Sequence, residues 1–273
     1  MLKQRLLTAL VLGSIFIAII LAGSQLLFSL LLGLFVMLAA WEWAGLSGAS
    51  NQIHRTVYAV FIVAILCILY FLMTGMPHGY ITNILGTLWW CLATVMVFLY
   101  QCGRPAIPKN NYLKYLIGFF VLIPPSLGLI FLYGSTNGPQ LVLLLFVLIW
   151  TVDSAAYFCG KKWGKRKLAN RISPGKSQEG FVASLIAAGI LALVYAWSGL
   201  ISVTNITGLV ILFIITAGFS AIGDLFESMY KRNANLKDSS QLLPGHGGVL
   251  DRIDSLTAAA PVYAMGLWLL EAK

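Results

Sequence analysis

The chain has 273 residues, 59% of them hydrophobic and only 10% charged, with a formal net charge of +9 and a mean hydropathy of +0.88. Average soluble domains carry about 25% charged residues, so the composition excludes an ordinary soluble protein. Long apolar runs stand in place of short alternating strands, which excludes a membrane β-barrel. The positive charge sits in loops between apolar runs, where membrane topology accounts for it, and no nucleic-acid partner is expected.

A spanning helix needs roughly 20 apolar residues. The pattern predicts an all-α, polytopic integral membrane protein with about nine such helices, near 5–22, 25–44, 55–74, 80–100, 113–133, 140–159, 180–198, 204–230 and 250–271. Only Gly23-Ser24-Gln25 separates the first two, so eight spans is the alternative. The start, Met1-Leu-Lys-Gln-Arg5 followed by an apolar run, resembles a signal peptide. The run is longer than a usual core of about 7–15 residues and lacks an A-x-A site, so it reads as a retained helix. Pro124-Pro125 should kink the fifth predicted span. Ser173-Pro174 reads as a helix start, with serine as cap and proline at the first helical position. The four cysteines, Cys67, Cys91, Cys102 and Cys159, show no C-x-x-C spacing and read as free thiols.

With nine crossings, 17 of the 18 basic residues fall on the side of the N-terminus, and only Lys273 lies opposite. The positive-inside rule makes that side cytoplasmic. Seven of the nine acidic residues lie between 150 and 255, the exceptions being Glu42 and Glu271. Topology does not explain that clustering. The chain therefore divides into N-terminal helices over 1–140, poor in chemistry, and C-terminal helices over 141–273 that carry a polar cavity at the cytoplasmic side.

Asp224 and Glu227 lie three residues apart at the end of the eighth predicted span, on one helix face. Asp251 and Asp254 repeat the spacing at the start of the ninth. If the two helices are antiparallel, the four carboxylates sit at similar depth. Hard oxygen ligands in pairs suit Mg²⁺; capping of the last helix would also favour Asp251 and Asp254. Asp153 lies at a matching depth and joins the group. The loop Arg171-Ile-Ser-Pro-Gly-Lys-Ser-Gln-Glu-Gly180 offers a helix start with Arg171, Ser173 and Lys176 nearby, which suits phosphate. Its Gly-Lys-Ser is not a P-loop, because Asn170 stands where glycine is needed and no strand is expected before it. His246, between glycines, is placed against phosphate or base rather than metal. Trp41-Glu42-Trp43 reads as an aromatic anchor at the membrane edge.

From Ser228 to Asp254 these residues form one spaced string: Ser228, Lys231-Arg232, Lys237-Asp238, His246-Gly247-Gly248 and Asp251-Arg252-x-Asp254. This resembles the signature of the phosphatidate cytidylyltransferase family, the bacterial CDP-diacylglycerol synthases. Asp153-Ser-Ala-Ala-Tyr, Ser173-Pro-Gly-Lys-Ser-Gln-Glu-Gly and Gly223-Asp-Leu-Phe-Glu-Ser are similar to family features as well. The resemblance implies transfer of a cytidylyl group from CTP to phosphatidate in the bilayer, with release of pyrophosphate. It implies Mg²⁺ at Asp224 and Asp251, with room for a second cation, and Asp153, Asp254 and Lys237 as further catalytic groups. Arg171, Ser173, Lys176, Lys231, Arg232, His246 and Arg252 become the expected substrate contacts. The implied setting is a bacterial inner membrane, with the site facing the cytoplasm and the N-terminal helices as scaffold and a face for a homodimer. A CTP-dependent polyprenol or phytol kinase is the main rival. An ion or phosphate transporter, which should reach both faces, is the more distant one.

Overall fold

The structure, a computed structural model, describes residues 17–73, 79–198, 205–242 and 247–271. Eight of its helices are long and apolar enough to cross a membrane. They are α1 (Gln25–Leu46), α2 (Gln52–Met73), α3 (Gly79–Gln101), α4 (Asn111–Tyr133), α5 (Gly138–Trp163), α6 (Gln178–Ser198), α7 (Ile206–Asn233) and α8 (Leu250–Glu271). The first predicted span lies mostly outside the described residues, of which 17–22 are helical. The Ser24 hydroxyl accepts from the Leu27 N–H (3.2 Å) and starts α1 afresh. Pro124 and Pro125 lie inside α4 without ending it. Cys67, Cys91, Cys102 and Cys159 are free.

One element departs from the all-helical expectation. Lys167–Ala169 (β1) and Ser173–Ser177 (β2) form a two-stranded antiparallel hairpin between α5 and α6. Ser173 therefore opens a strand, not a helix, and Gly175-Lys176-Ser177 does sit in a strand that leads into a helix. Proline is tolerated there because an edge strand need not donate from every residue. The true start of α6 is Gln178, where the Ser177 hydroxyl accepts from the Gly180 N–H (3.2 Å).

Helices in lipid associate through close packing and internal hydrogen bonds, since lipid tails are as apolar as leucine. Helices α4 and α8 are central: α8 packs against α7, α3 and α4, and α4 packs also against α1. One core cluster is aromatic. Trp43, fully buried, lies against Phe226 and Tyr230 of α7 (ring centroids 6.3 and 4.7 Å). Its indole N–H donates to the Lys114 carbonyl (2.9 Å). Trp43 is thus a core residue that locks α1 to α4 and α7, not an interfacial anchor. Trp41 is part-exposed, with the Arg55 guanidinium 5.1 Å from its ring. Trp90 is also core, edge-on to Phe226 at 5.4 Å.

Alternating direction brings the ends of α1, α3, α5 and α7 and the starts of α2, α4, α6 and α8 to one side. Contacts between those ends fix it. The Arg171 N–H donates to Gln101 (3.2 Å), and the Arg232 guanidinium donates to the Ile172 carbonyl (3.2 Å). The hairpin, the end of α7 and the start of α8 meet there.

Candidate active site

The site begins with the hairpin. The Glu179 carboxylate accepts from the Lys165 and Arg166 N–H groups (3.0 and 3.2 Å), which folds the connection after α5 back onto the start of α6. Strand β2 is thereby held over the bundle, and Lys176 points inward. Its ammonium lies 2.5 Å from Oδ2 of Asp224 on α7, with both side chains about 30% exposed. The Ser228 hydroxyl donates to Asp224 Oδ1 (3.2 Å) one turn further on.

Lys176 and Asp224 line a cavity of about 650 Å³, with Asp153 of α5 and with Ser173, Ser177 and Ser184 of the β2–α6 corner. That volume falls in the usual range for small-molecule sites, about 300–1,000 Å³. The small residues Ala156, Gly160, Gly180 and Ala217 share the remaining wall with larger side chains, among them Tyr157 and Phe181.

A second charged centre lies beside the first. Lys231, 7% exposed, is 2.5 Å from Asp251 Oδ1 and 3.1 Å from Glu227 Oε1. The other oxygen of Asp251 accepts from the Ser239 N–H (3.0 Å), the Ser239 hydroxyl (3.0 Å) and the Gly248 N–H (2.8 Å). Asp254 connects the centres: it lies within electrostatic reach of Asp224, Lys176 and Lys231, and its Oδ1 accepts from the Ser255 N–H (2.7 Å). Close packing makes this possible. A β-carbon at Gly223 would run into the Asp254 carbonyl and come 3.0 Å from the Ala258 side chain, so glycine lets α7 and α8 touch at the site.

The expected juxtaposition of acidic pairs on α7 and α8 is present, but each pair divides its work. Asp224 reaches the cavity and Lys176, whereas Glu227 turns to Lys231. Asp153, Ser173, Lys176 and Asp224 share the cavity. Lys231, Asp251 and Asp254 stand beside it. Arg232 pins the hairpin and also donates to the Leu236 carbonyl (3.1 Å). Arg171 is exposed at the hairpin turn, and Lys237 and Arg252 are exposed too. His246 lies outside the described residues.

One acidic residue of the site was missed. Glu42 of α1 is 1% exposed, and its carboxylate accepts from the Ser239 and Ser240 hydroxyls and from the Val249 and Leu250 N–H groups, at 2.6–2.9 Å. The available signal was its placement, a lone carboxylate inside an apolar helix, where ionisable groups need a partner.

The donors can be tested against a cation. Among the described residues, no group of three or more His, Cys, Asp or Glu side chains is assembled to hold a metal. An all-protein cage is therefore not what these residues build. Hard carboxylate oxygens at the edge of a cavity do fit Mg²⁺ of the kind held by one or two carboxylates and completed by substrate phosphates and water. Asp224 suits that role once its own partner, Lys176, gives way. Asp251 would first have to exchange Lys231 for the metal.

The helices define a membrane protein, with lysine–carboxylate pairs gathered at and beside a cavity at one end of the bundle. The profile of the Cytidylyltransferase family matches residues 3–270, and the chain belongs to that family, a family of nucleotidyltransferases. It is 40% identical to the phosphatidate cytidylyltransferase of Haemophilus influenzae, over 97% of this chain and 98% of that one. It is 42% identical to the Pseudomonas aeruginosa protein of the same name, over 98% and 97%, and 30% identical to the one from Bacillus subtilis, over 95% of each.

Proposed function

We propose that this enzyme transfers the cytidylyl group of CTP to phosphatidate, giving CDP-diacylglycerol and pyrophosphate at the cytoplasmic face of a bacterial inner membrane. The observation that carries the reading is the Lys176–Asp224 pair at the mouth of the α6 N-terminus, facing a cavity of nucleotide size. Both substrates are anions, so the site must offset their repulsion before they can meet. The Lys176 ammonium suits the triphosphate. Lys231, Arg232, Lys237 and Arg252, on the α7–α8 side, suit the lipid phosphate, with Arg171 and His246 completing the set.

The chemistry follows from the substrates. A phosphate monoester has a second pKa near 6, so the attacking oxygen of phosphatidate is already unprotonated at neutral pH and needs no general base. It forms a bond to the α-phosphorus as the bond to the bridging α–β oxygen breaks, and pyrophosphate departs with the electron pair. Phosphoryl chemistry of this kind is accelerated mainly by positioning and charge neutralisation. Mg²⁺ at Asp224 and Asp251, with a second cation accommodated nearby, would neutralise charge on the phosphates. When the triphosphate enters, Lys176 can leave Asp224 for a phosphate oxygen, and Lys231 can make the same exchange from Asp251. Asp153 lines the same cavity as Lys176 and Asp224, and Asp254 stands between the two charged centres.

Purified protein given α-labelled CTP and phosphatidate vesicles tests the proposal. Labelled liponucleotide and stoichiometric pyrophosphate are expected. Release of CDP with a phosphorylated alcohol, or ion flux without CTP consumption, would replace it with a kinase or a transporter.

A further inference from the structure

Glu42 belongs to the N-terminal helices, far in sequence from the charged string, and every hydrogen bond it accepts comes from that string. Its Oε1 takes the Ser240 hydroxyl (2.6 Å) and the Val249 N–H (2.9 Å). Its Oε2 takes the Ser239 hydroxyl (2.8 Å) and the Leu250 N–H (2.7 Å). Three of these donors, Ser239, Ser240 and Val249, lie in the connection between α7 and α8, and the fourth, Leu250, is the first residue of α8, so one carboxylate ties two parts of that connection and the helix start together.

The same contacts reach the charged centre. The Ser239 oxygen lies within hydrogen-bond distance of both Glu42 Oε2 (2.8 Å) and Asp251 Oδ2 (3.0 Å). Asp251 in turn accepts from Ser239 N–H and Gly248 N–H, residues adjoining Glu42's own donors. The orientation of Asp251 toward Lys231 therefore depends on where Ser239 and the first turn of α8 are held, and Glu42 holds both. The charge also lies at a helix N-terminus, where it complements the exposed N–H groups and the dipole. Salt-bridge partners for Glu42 are absent among the described residues, so its burial is supported by hydrogen bonds alone. A buried carboxylate is retained at such expense only where its acceptors are all used.

We infer that Glu42 is a positioning residue for catalysis: a clasp from α1 that fixes the Ser239–Ser240 and Val249–Leu250 segments, and through them the Asp251–Lys231 pair. The inference rests on the reading that this pair acts on substrate.

Glu42→Gln tests it with little change of volume. The serine hydroxyls can rotate to accept from the new amide NH₂, but Val249 and Leu250 each present a fixed N–H to a different oxygen. At least one of them must then face a donor. Supporting groups of this kind typically contribute 10–100-fold to activity. The expected result is a 10–100-fold fall in kcat, with KM for CTP within about threefold, and a rise of about tenfold or more in amide exchange at Val249 and Leu250 while the unfolding midpoint stays near wild type. Gly248→Ala is an independent probe. Its β-carbon would run into the Ser239 hydroxyl and stand 2.5–2.6 Å from both Glu42 oxygens, so it should force the Glu42–Ser239 clasp open and give the same kcat signature with no change of charge. Exchange raised with kcat unchanged would overturn the inference, as would activity lost only in proportion to folded protein in both variants. Amide exchange is read without substrate, so it reports on the clasp even if the enzyme uses another acceptor than phosphatidate; a failure of that assignment appears instead in the product of the wild-type enzyme.

Discussion

Removing the Lys176 ammonium separates the catalytic from the structural role of its pair. Lys176 and Asp224 are 2.5 Å apart, but about 30% of each side chain is exposed. Pairs with that much solvent access are screened and contribute about 0–1 kcal/mol to folding. Lys176→Ala should therefore lower the unfolding midpoint by no more than about 4 °C. The effect on the transition state should be larger. A hydrogen bond from an ammonium to a charged phosphate is worth about 1.5–3 kcal/mol, and the variant also leaves Asp224 unpaired, repelling the incoming triphosphate. At about 1.4 kcal/mol per tenfold, kcat/KM should fall about 10–150-fold from the lost hydrogen bond, with the unpaired Asp224 adding to the loss. The assay is initial-rate turnover of labelled CTP in detergent micelles containing phosphatidate, alongside a thermal melt of the same preparation. Lys176→Arg should recover only part of the loss, since a planar fork does not replace a point charge. A variant retaining more than a third of wild-type kcat/KM, or one whose activity loss simply follows its loss of folded protein, would refute the placement of Lys176 against the triphosphate.

Further expectations follow from the same geometry. Asp251→Asn leaves an acceptor for one or two of its three donors at Oδ2 but removes the charge opposite Lys231; turnover should fall at least about 100-fold, while the protein still inserts and elutes as a single species on size exclusion. Chelation of divalent cations should abolish CTP turnover and added Mg²⁺ should restore it; unchanged activity in excess chelator would remove Asp224 and Asp251 from a metal role. Gly223→Val would press α7 away from the Asp254 carbonyl and Ala258, which should destabilise the protein by about 1–3 kcal/mol and cut turnover further than stability alone accounts for. In a cysteine-free background, a single cysteine at Lys167 should react with an impermeant maleimide only once the cytoplasmic face is opened; labelling of intact spheroplasts would reverse the topology.

Helix placement was legible in the sequence because lipid imposes a one-dimensional rule. Every backbone polar group must be satisfied within its own segment, so a span shows itself as a run of apolar residues wherever its neighbours lie. The seven ends predicted at 55, 80, 113, 140, 180, 204 and 250 agree with the observed starts to within three residues for that reason. The charged string was legible as well, since carboxylates and lysines beside apolar spans stand out against their surroundings. What the linear pattern could not express was pairing. The Ser173-Pro174 turn has the local chemistry of a helix start, yet cross-strand bonding to Lys167–Ala169 makes it a strand and moves the helix start to Gln178. Trp43 and Glu42 look like membrane-edge residues along the chain and are buried only because α4, α7 and α8 close over them. Which lysine faces which aspartate, and that a glutamate of α1 holds the start of α8, depend on contacts between residues up to 208 positions apart, set by helix packing that no local run of sequence encodes.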